Sequence, residues 1–161
     1  MTTTDSAPVL VLFDIDGTLI LSGRAGIRGM NAAFRRLYGA AEALATVAIA
    51  GRTDRAIVGD GLAAIGREPT GVEIATLRDA YLEELPRELP QPSGEPSCVL
   101  PGIATLLDAL AREPAVRIGL LTGNFVRGAE LKLGFFDLWR RFPFGAFGDD
   151  RLTRFDRAQR R

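Results

Sequence analysis

The chain has 161 residues, 47% hydrophobic and 25% charged, with 20 basic side chains balanced by 20 acidic ones. This is the composition of a globular domain; it excludes disordered, collagen-like and coiled-coil chains, and supplies no net field for nucleic acid or an anionic membrane. One cysteine, Cys98, rules out an internal disulfide or a Cys-rich zinc site. The absence of histidine removes Ser-His-Asp and Cys-His nucleophiles and HExxH metal sites together.

Residues Met1 to Pro8 are small and polar, with Asp5 where a signal peptide carries a cation, and no apolar run is long enough to span a bilayer. The expectation is a soluble cytoplasmic protein with no membrane or nucleic-acid partner. Val9 to Phe13 is a continuous apolar run that switches to polarity at Asp14, the pattern of a buried parallel strand. Helical spacing follows over Arg24–Tyr38, Asp54–Ile65 and Gly71–Leu85, and nothing between residues 20 and 90 reads as a strand. Pro86 to Pro96, with four prolines and a glycine, reads as a linker. Beyond it come a helix over Pro101–Ala111, a strand over Arg117–Leu121, a helix from about Phe125 to Leu133, and a third strand over Phe144–Phe147.

Strands alternating with helices imply an α/β fold with a parallel, Rossmann-like sheet and right-handed crossovers. The expected division is a core at 8–20 plus 98–150, a helical insertion at 21–97 and an arginine-rich tail at 151–161.

Candidate chemistry begins at Asp14-Ile15-Asp16-Gly17-Thr18, where the first strand ends and ligands of open parallel sheets bind. Asp14 can attack phosphorus, and Asp16 can protonate a leaving oxygen and then activate water. The alternative is a polar turn in which the carboxylates bond nearby amides. A calcium loop is disfavoured, because Gly17 stands fourth rather than sixth and a strand precedes it. Thr122-Gly123-Asn124 ends the second strand, offering a hydroxyl and amides at a helix N-terminus for an anion, or simply a helix cap. Lys132 is the chain's single lysine among nineteen arginines, a compact ammonium suited to phosphate oxygens; the alternative is a solvated helix residue.

These residues resemble the haloacid dehalogenase-like superfamily, whose first motif is a hydrophobic strand followed by DxDGT and whose second strand ends in Thr or Ser. The resemblance implies a Mg²⁺-dependent phosphomonoesterase working through an aspartyl-phosphate. In it Asp14 is the nucleophile and Asp16 the acid/base, both are metal ligands, and Thr122, Gly123, Asn124 and Lys132 hold the phosphoryl group. It also implies a helical cap that closes over the site, with Arg52, Thr53 and Asp54 of a G-x-T-D stretch as candidate substrate residues. The expected partner is a small phosphorylated metabolite. Asp at position 16 favours phosphoryl transfer over dehalogenation, since a leaving alkoxide needs a proton.

The family's fourth, acidic motif has no counterpart beyond Gly148-Asp149-Asp150, so the chain reads as ending before it. Asp149 and Asp150 lie two strand spacings from the first strand, on the order of 10 Å, too far to replace the missing acids without rearrangement. The resemblance implies that the strand carrying this motif pairs directly with the first strand, and without it the first strand would leave an apolar edge open to a second copy. The alternatives are a catalytically impaired fragment or binding module of this fold, and a phosphosugar mutase.

Overall fold

The apolar runs form the centre of a parallel sheet. The computed structural model describes residues 7–149. Along the chain run β1 (Val9–Phe13), β2 (Ile20–Ser22), α1 (Ala25–Tyr38), α2 (Asp54–Ala64), α3 (Gly71–Glu88) and β3 (Ser97–Val99). Then follow α4 (Ile103–Ala111), β4 (Val116–Leu121), α5 (Val126–Phe135), a 3-10 turn at Trp139–Arg141, and β5 (Gly145–Ala146).

The sheet order is β1-β4-β5, all parallel, with Val9 opposite Val116 and Phe13 opposite Leu120. Because the strands run the same way, the loops after β1, β4 and β5 emerge on one side, and that side holds the candidate site. Among the described residues β1 lies at the sheet edge, with Val9 and Leu10 half-exposed.

Two corrections to the sequence reading concern the stretch between residues 20 and 97. Ile20–Ser22 and Ser97–Val99 pair as a short antiparallel ribbon where the chain leaves and re-enters the sheet region. Three residues show no usable periodicity, so neither strand stands out in the sequence. The second correction is Pro86, which lies inside α3 rather than in a linker. The helix runs through it because Leu85 and Leu89, both buried, anchor the turns on either side. The arginine-rich tail and Asp150 lie outside the described residues.

Two apolar clusters divide the molecule. One joins the sheet to α4 and α5, through Phe13, Ile15, Leu107, Leu120 and Leu133. The other fills the space between α1, α2 and α3, through Phe34, Leu62, Leu77, Tyr81 and Leu85. Small residues on α1 let α3 come close: a Cβ on Gly29 would stand 3.3 Å from the Tyr81 ring. Phe125, just before α5, belongs to the second cluster and meets the Tyr81 ring at 6.4 Å between centroids. The α5 segment is therefore common to both clusters.

At Gly61 of α2 there is no room for a side chain. A Cβ there would lie 2.6 Å from the Phe34 ring and 2.7 Å from a Leu44 methyl, and both side chains are buried. Helix propensity alone would make Gly61→Val slightly stabilising. Overpacking dominates instead, and urea unfolding should show a loss of about 2 kcal/mol.

Candidate active site

Phe13 is the last residue of β1, and the chain then folds tightly around a single carbonyl. The amides of Thr18, Leu19 and Ile20 all donate to the Ile15 carbonyl (3.3, 2.9 and 3.2 Å), and Gly17 N–H donates to Ile20 at 2.9 Å. Gly17 takes φ +79°, the left-handed conformation that this turn requires. Ile15, Leu19 and Ile20 are buried, while Asp14 and Asp16 face an open cavity of about 730 Å³.

The loop after β4 supplies the opposite wall. Thr122 is fully buried, and its N–H binds the Ala146 carbonyl at 3.1 Å. Its hydroxyl accepts from the Asn124 backbone N–H (3.3 Å) and the Asn124 side-chain amide (2.9 Å). That same amide donates to Asp16 Oδ2 at 2.9 Å. Lys132 completes a closed triangle, with Nζ donating to Asp16 Oδ2 at 2.7 Å and to Asn124 Oδ1 at 2.6 Å. Helical side chains point toward the N-terminus, which brings Lys132 back to the loop from two turns along α5. Gly26 opens the space on the α1 side, where a Cβ would stand 3.2 Å from Lys132 Nζ.

The electrostatics follow from this triangle. Burial opposes the Lys132 charge, but the carboxylates of Asp16, Asp54 and Asp14 outweigh it and hold the group above the ordinary lysine value, so it is an ammonium. Burial likewise works against the Asp16 charge. The Lys132 ammonium and hydrogen bonds from Lys132, Asn124 and Ser22 overcome it and keep Asp16 below the usual carboxylate value. Asp14 lines the cavity without a hydrogen bond or ion pair to any described residue.

The structure thus brings Asp14, Asp16, Thr122, Gly123, Asn124 and Lys132 to one cavity. The three residues of the G-x-T-D stretch part company. Arg52 lines the cavity and pairs with Asp60. Thr53 caps α2, its hydroxyl accepting from Ala56 N–H at 3.2 Å. Asp54 is buried behind the loop after β4. Its carboxylate accepts from Phe125 N–H at 2.9 Å, and its N–H donates to the Gly123 carbonyl at 2.7 Å. Neither Thr53 nor Asp54 lines the cavity.

Sequence reasoning missed Ser22, which supports Asp16 from the short β2, and Arg24, which lines the cavity with φ +59°. Ser22 had no signal, being one polar residue in a three-residue strand. Arg24 had a faint one, as the residue between Gly23 and the first helix. Asp149 does not join the acids at the end of β1. It caps α5 instead, accepting from Val126 N–H at 3.2 Å. Among the described residues no three acids or cysteines converge as a ready-made metal cage.

A family model of the haloacid dehalogenase-like hydrolases matches residues 9–152, and the chain belongs to that family. No curated protein matches it. Several solved structures share the fold. One is CbbY from Rhodobacter sphaeroides in complex with phosphate, 22% identical over 91% of this chain and 65% of that one, with a TM-score of 0.64. Another is a predicted phosphoglycolate phosphatase from Haemophilus somnus, 20% identical over 89% of this chain and 63% of that one, with a TM-score of 0.58. This chain thus spans less than two thirds of either. No helix among the described residues is long and apolar enough to cross a membrane.

Asp54 gives the site a measurable pH signature. Burial pushes its carboxyl from the usual 3.8 up to about 6, against the pull of Lys132 and the Phe125 amide. Between those values the folded chain holds a proton that the unfolded chain has released. The Asp54 contribution to stability is therefore highest at acid pH and falls as pH rises toward about 6, by about 3 kcal/mol. Asp54→Asn removes this dependence. Denaturation of both proteins should show the wild type losing about that much relative to the variant between about pH 4 and pH 7.

Proposed function

We propose that the protein is a phosphohydrolase for small phosphomonoesters, working through an aspartyl-phosphate on Asp14, with α1, α2 and α3 as a cap over the site. One observation carries this reading: an unpaired carboxylate, Asp14, shares a cavity with the Lys132–Asp16–Asn124 triangle, the Thr122 hydroxyl and the Gly123 amide. A nucleophile needs a free lone pair, and a phosphoryl group needs a cation and donors around its oxygens. The cavity is of the size that small ligands occupy.

In the first step an Asp14 oxygen forms a bond to phosphorus while the ester P–O bond breaks and the leaving oxygen takes a proton from Asp16. In the second, water attacks phosphorus, the Asp14–phosphorus bond breaks, and Asp16 receives the water proton. Lys132 couples the two roles of Asp16. While the ammonium rests on Asp16, that carboxylate stays ionised and ready as a base. When substrate oxygens draw the ammonium away, Asp16 loses the charge that sustained its ionisation and takes up a proton, becoming the acid.

A magnesium ion fits this donor set with Asp14 as its side-chain ligand, since Mg²⁺ commonly takes one or two carboxylates together with substrate phosphate. Asp16 Oδ2 is already committed to Lys132 and Asn124. When bound, the ion would neutralise phosphate charge, which three carboxylates around one ammonium leave uncompensated. Arg52 and Arg24 stand on the same cavity as candidates for contacting the rest of the substrate.

Release of phosphate from an aryl phosphate in the presence of Mg²⁺ tests the reading. The wild type should turn over, and Asp14→Asn should fall to the uncatalysed background. Turnover retained by Asp14→Asn removes the covalent mechanism. A wild type that binds phosphate without turnover makes the chain a binding module.

A further inference from the structure

The reaction above gives Asp54 no part, yet the fold keeps an acid there at the expense of stability. Its surroundings suggest why. Its N–H holds the Gly123 carbonyl and its carboxylate holds the Phe125 N–H, so the two bonds bracket Asn124. On the other flank Gly148 N–H donates to the Asn124 carbonyl at 2.8 Å. Gly148 packs so closely that a Cβ there would stand 2.1 Å from the Gly123 oxygen. The loop is thereby gripped from the start of α2 on one side and from the segment after β5 on the other. Held this way, it presents the Asn124 side chain to Lys132 and Asp16, sets the Thr122 hydroxyl against Asn124, and leaves the Gly123 N–H without a partner among the described residues.

We propose that Asp54 is a positioning residue for the oxyanion site, clamping Gly123 to Phe125 so that the Gly123 amide, the Thr122 hydroxyl and Lys132 converge on one anion. Docking of the helical block at α2 then becomes a condition of anion binding, not only a cover over it. The inference rests on the phosphoryl-handling reading of this cavity.

The charged and titratable groups facing Asp54 are Lys132 from α5, Asp16 from the loop after β1, Asp149 from beyond β5 and Tyr81 from α3. The Tyr81 hydroxyl is buried and has no hydrogen-bond partner among the described residues. The chain contains no histidine, so the Asp54 carboxyl, pushed to about 6, is the group among these that changes charge in that range.

Two effects of removing the Asp54 charge have opposite signs, and this makes the clamp testable. As a mere negative charge near Lys132, Asp54 repels an anion, and neutralising it would tighten binding. As a clamp it organises the donors, and neutralising it loosens binding, because a charged acceptor holds an amide more strongly than a neutral one. Sulfate is a suitable probe, since its charge is constant across this range. Calorimetric titration of sulfate into the wild type, Asp54→Asn and Asp54→Ala should show binding weakened about tenfold in Asp54→Ala, with Asp54→Asn between them. The affinity advantage of the wild type over Asp54→Asn should shrink as pH falls from about 7 to about 5, because the proton uptake by Asp16 that accompanies anion binding is common to both proteins and cancels in their ratio. The melting temperature of Asp54→Asn at neutral pH should be no lower than that of the wild type, which separates the effect from unfolding. Unchanged or tighter binding in the variants, or a wild-type advantage over Asp54→Asn that holds or grows toward acid pH, overturns the clamp alone. A wild type that binds no sulfate at any pH overturns the phosphoryl-handling reading and the clamp with it. Should Asp54→Ala fail to fold, Asp54→Asn and the wild-type pH series decide the question.

Discussion

The site depends on one buried ammonium. Lys132 sits among the carboxylates of Asp16, Asp54 and Asp14, hydrogen-bonded to the first and within the field of the others. A lone buried lysine would shed its proton, and lone buried carboxylates would take one up. Together Lys132 and Asp16 stay ionised, and each constrains the other. Remove the ammonium and Asp16 loses both the charge and a donor that keep it a carboxylate. The Asn124 side chain, whose two ends bridge Lys132 and Asp16, loses its orientation as well. Buried ion pairs contribute little to stability in general. Under the proposed function, the arrangement holds charge where a phosphoryl group would be handled.

The fold delivers this ammonium by parallel strands and a shared helix. Parallel register places the ends of β1 and β4 side by side, so the acids after Phe13 and the hydroxyl after Leu121 open onto the same cavity. The helix α5 then returns Lys132 to that point. Phe125, the residue just before it, enters the apolar cluster of the helical block, and its interior Leu133 enters the cluster beneath the sheet. Displacing α2 or α3 would therefore disturb the start of α5, and with it the loop that precedes the helix. Glycine makes the crowding possible. Gly26 gives room to the lysine, and Gly148 lets two loops touch through their backbones.

Much of this was legible in the sequence, and the reasons are local. Val9–Phe13 followed by Asp14, and Arg117–Leu121 followed by Thr122, both show an abrupt change from apolar to polar. That change marks a buried strand ending at a surface, and it does not depend on distant residues. The helical stripes of α1, α2 and α3 were equally clear. Lys132 was visible through composition, as the one lysine in an arginine-rich chain, although eight residues from Asn124 carry no geometric rule. What stayed hidden was tertiary. Asp54 follows a true cap, Thr53, and nothing in the local pattern says that its side chain turns away from α2 to a loop 70 residues later. Tyr81 was readable as a core residue, but its unpartnered hydroxyl beside the site arises from three helices meeting. The β2–β3 ribbon was too short to announce itself, and Pro86 misled because packing on both sides of it outweighed its local preference.

The central claim is that the Lys132 ammonium leaves its resting place on Asp16 to receive a phosphoryl oxygen. Because the chain has a single lysine, isotope labelling of lysine alone gives one side-chain nitrogen signal, assigned without ambiguity. Titration with inorganic phosphate, followed by magnetic resonance at that nitrogen, measures the transfer directly. The account predicts a saturable shift of the signal in the wild type. A signal unmoved by saturating phosphate would contradict it.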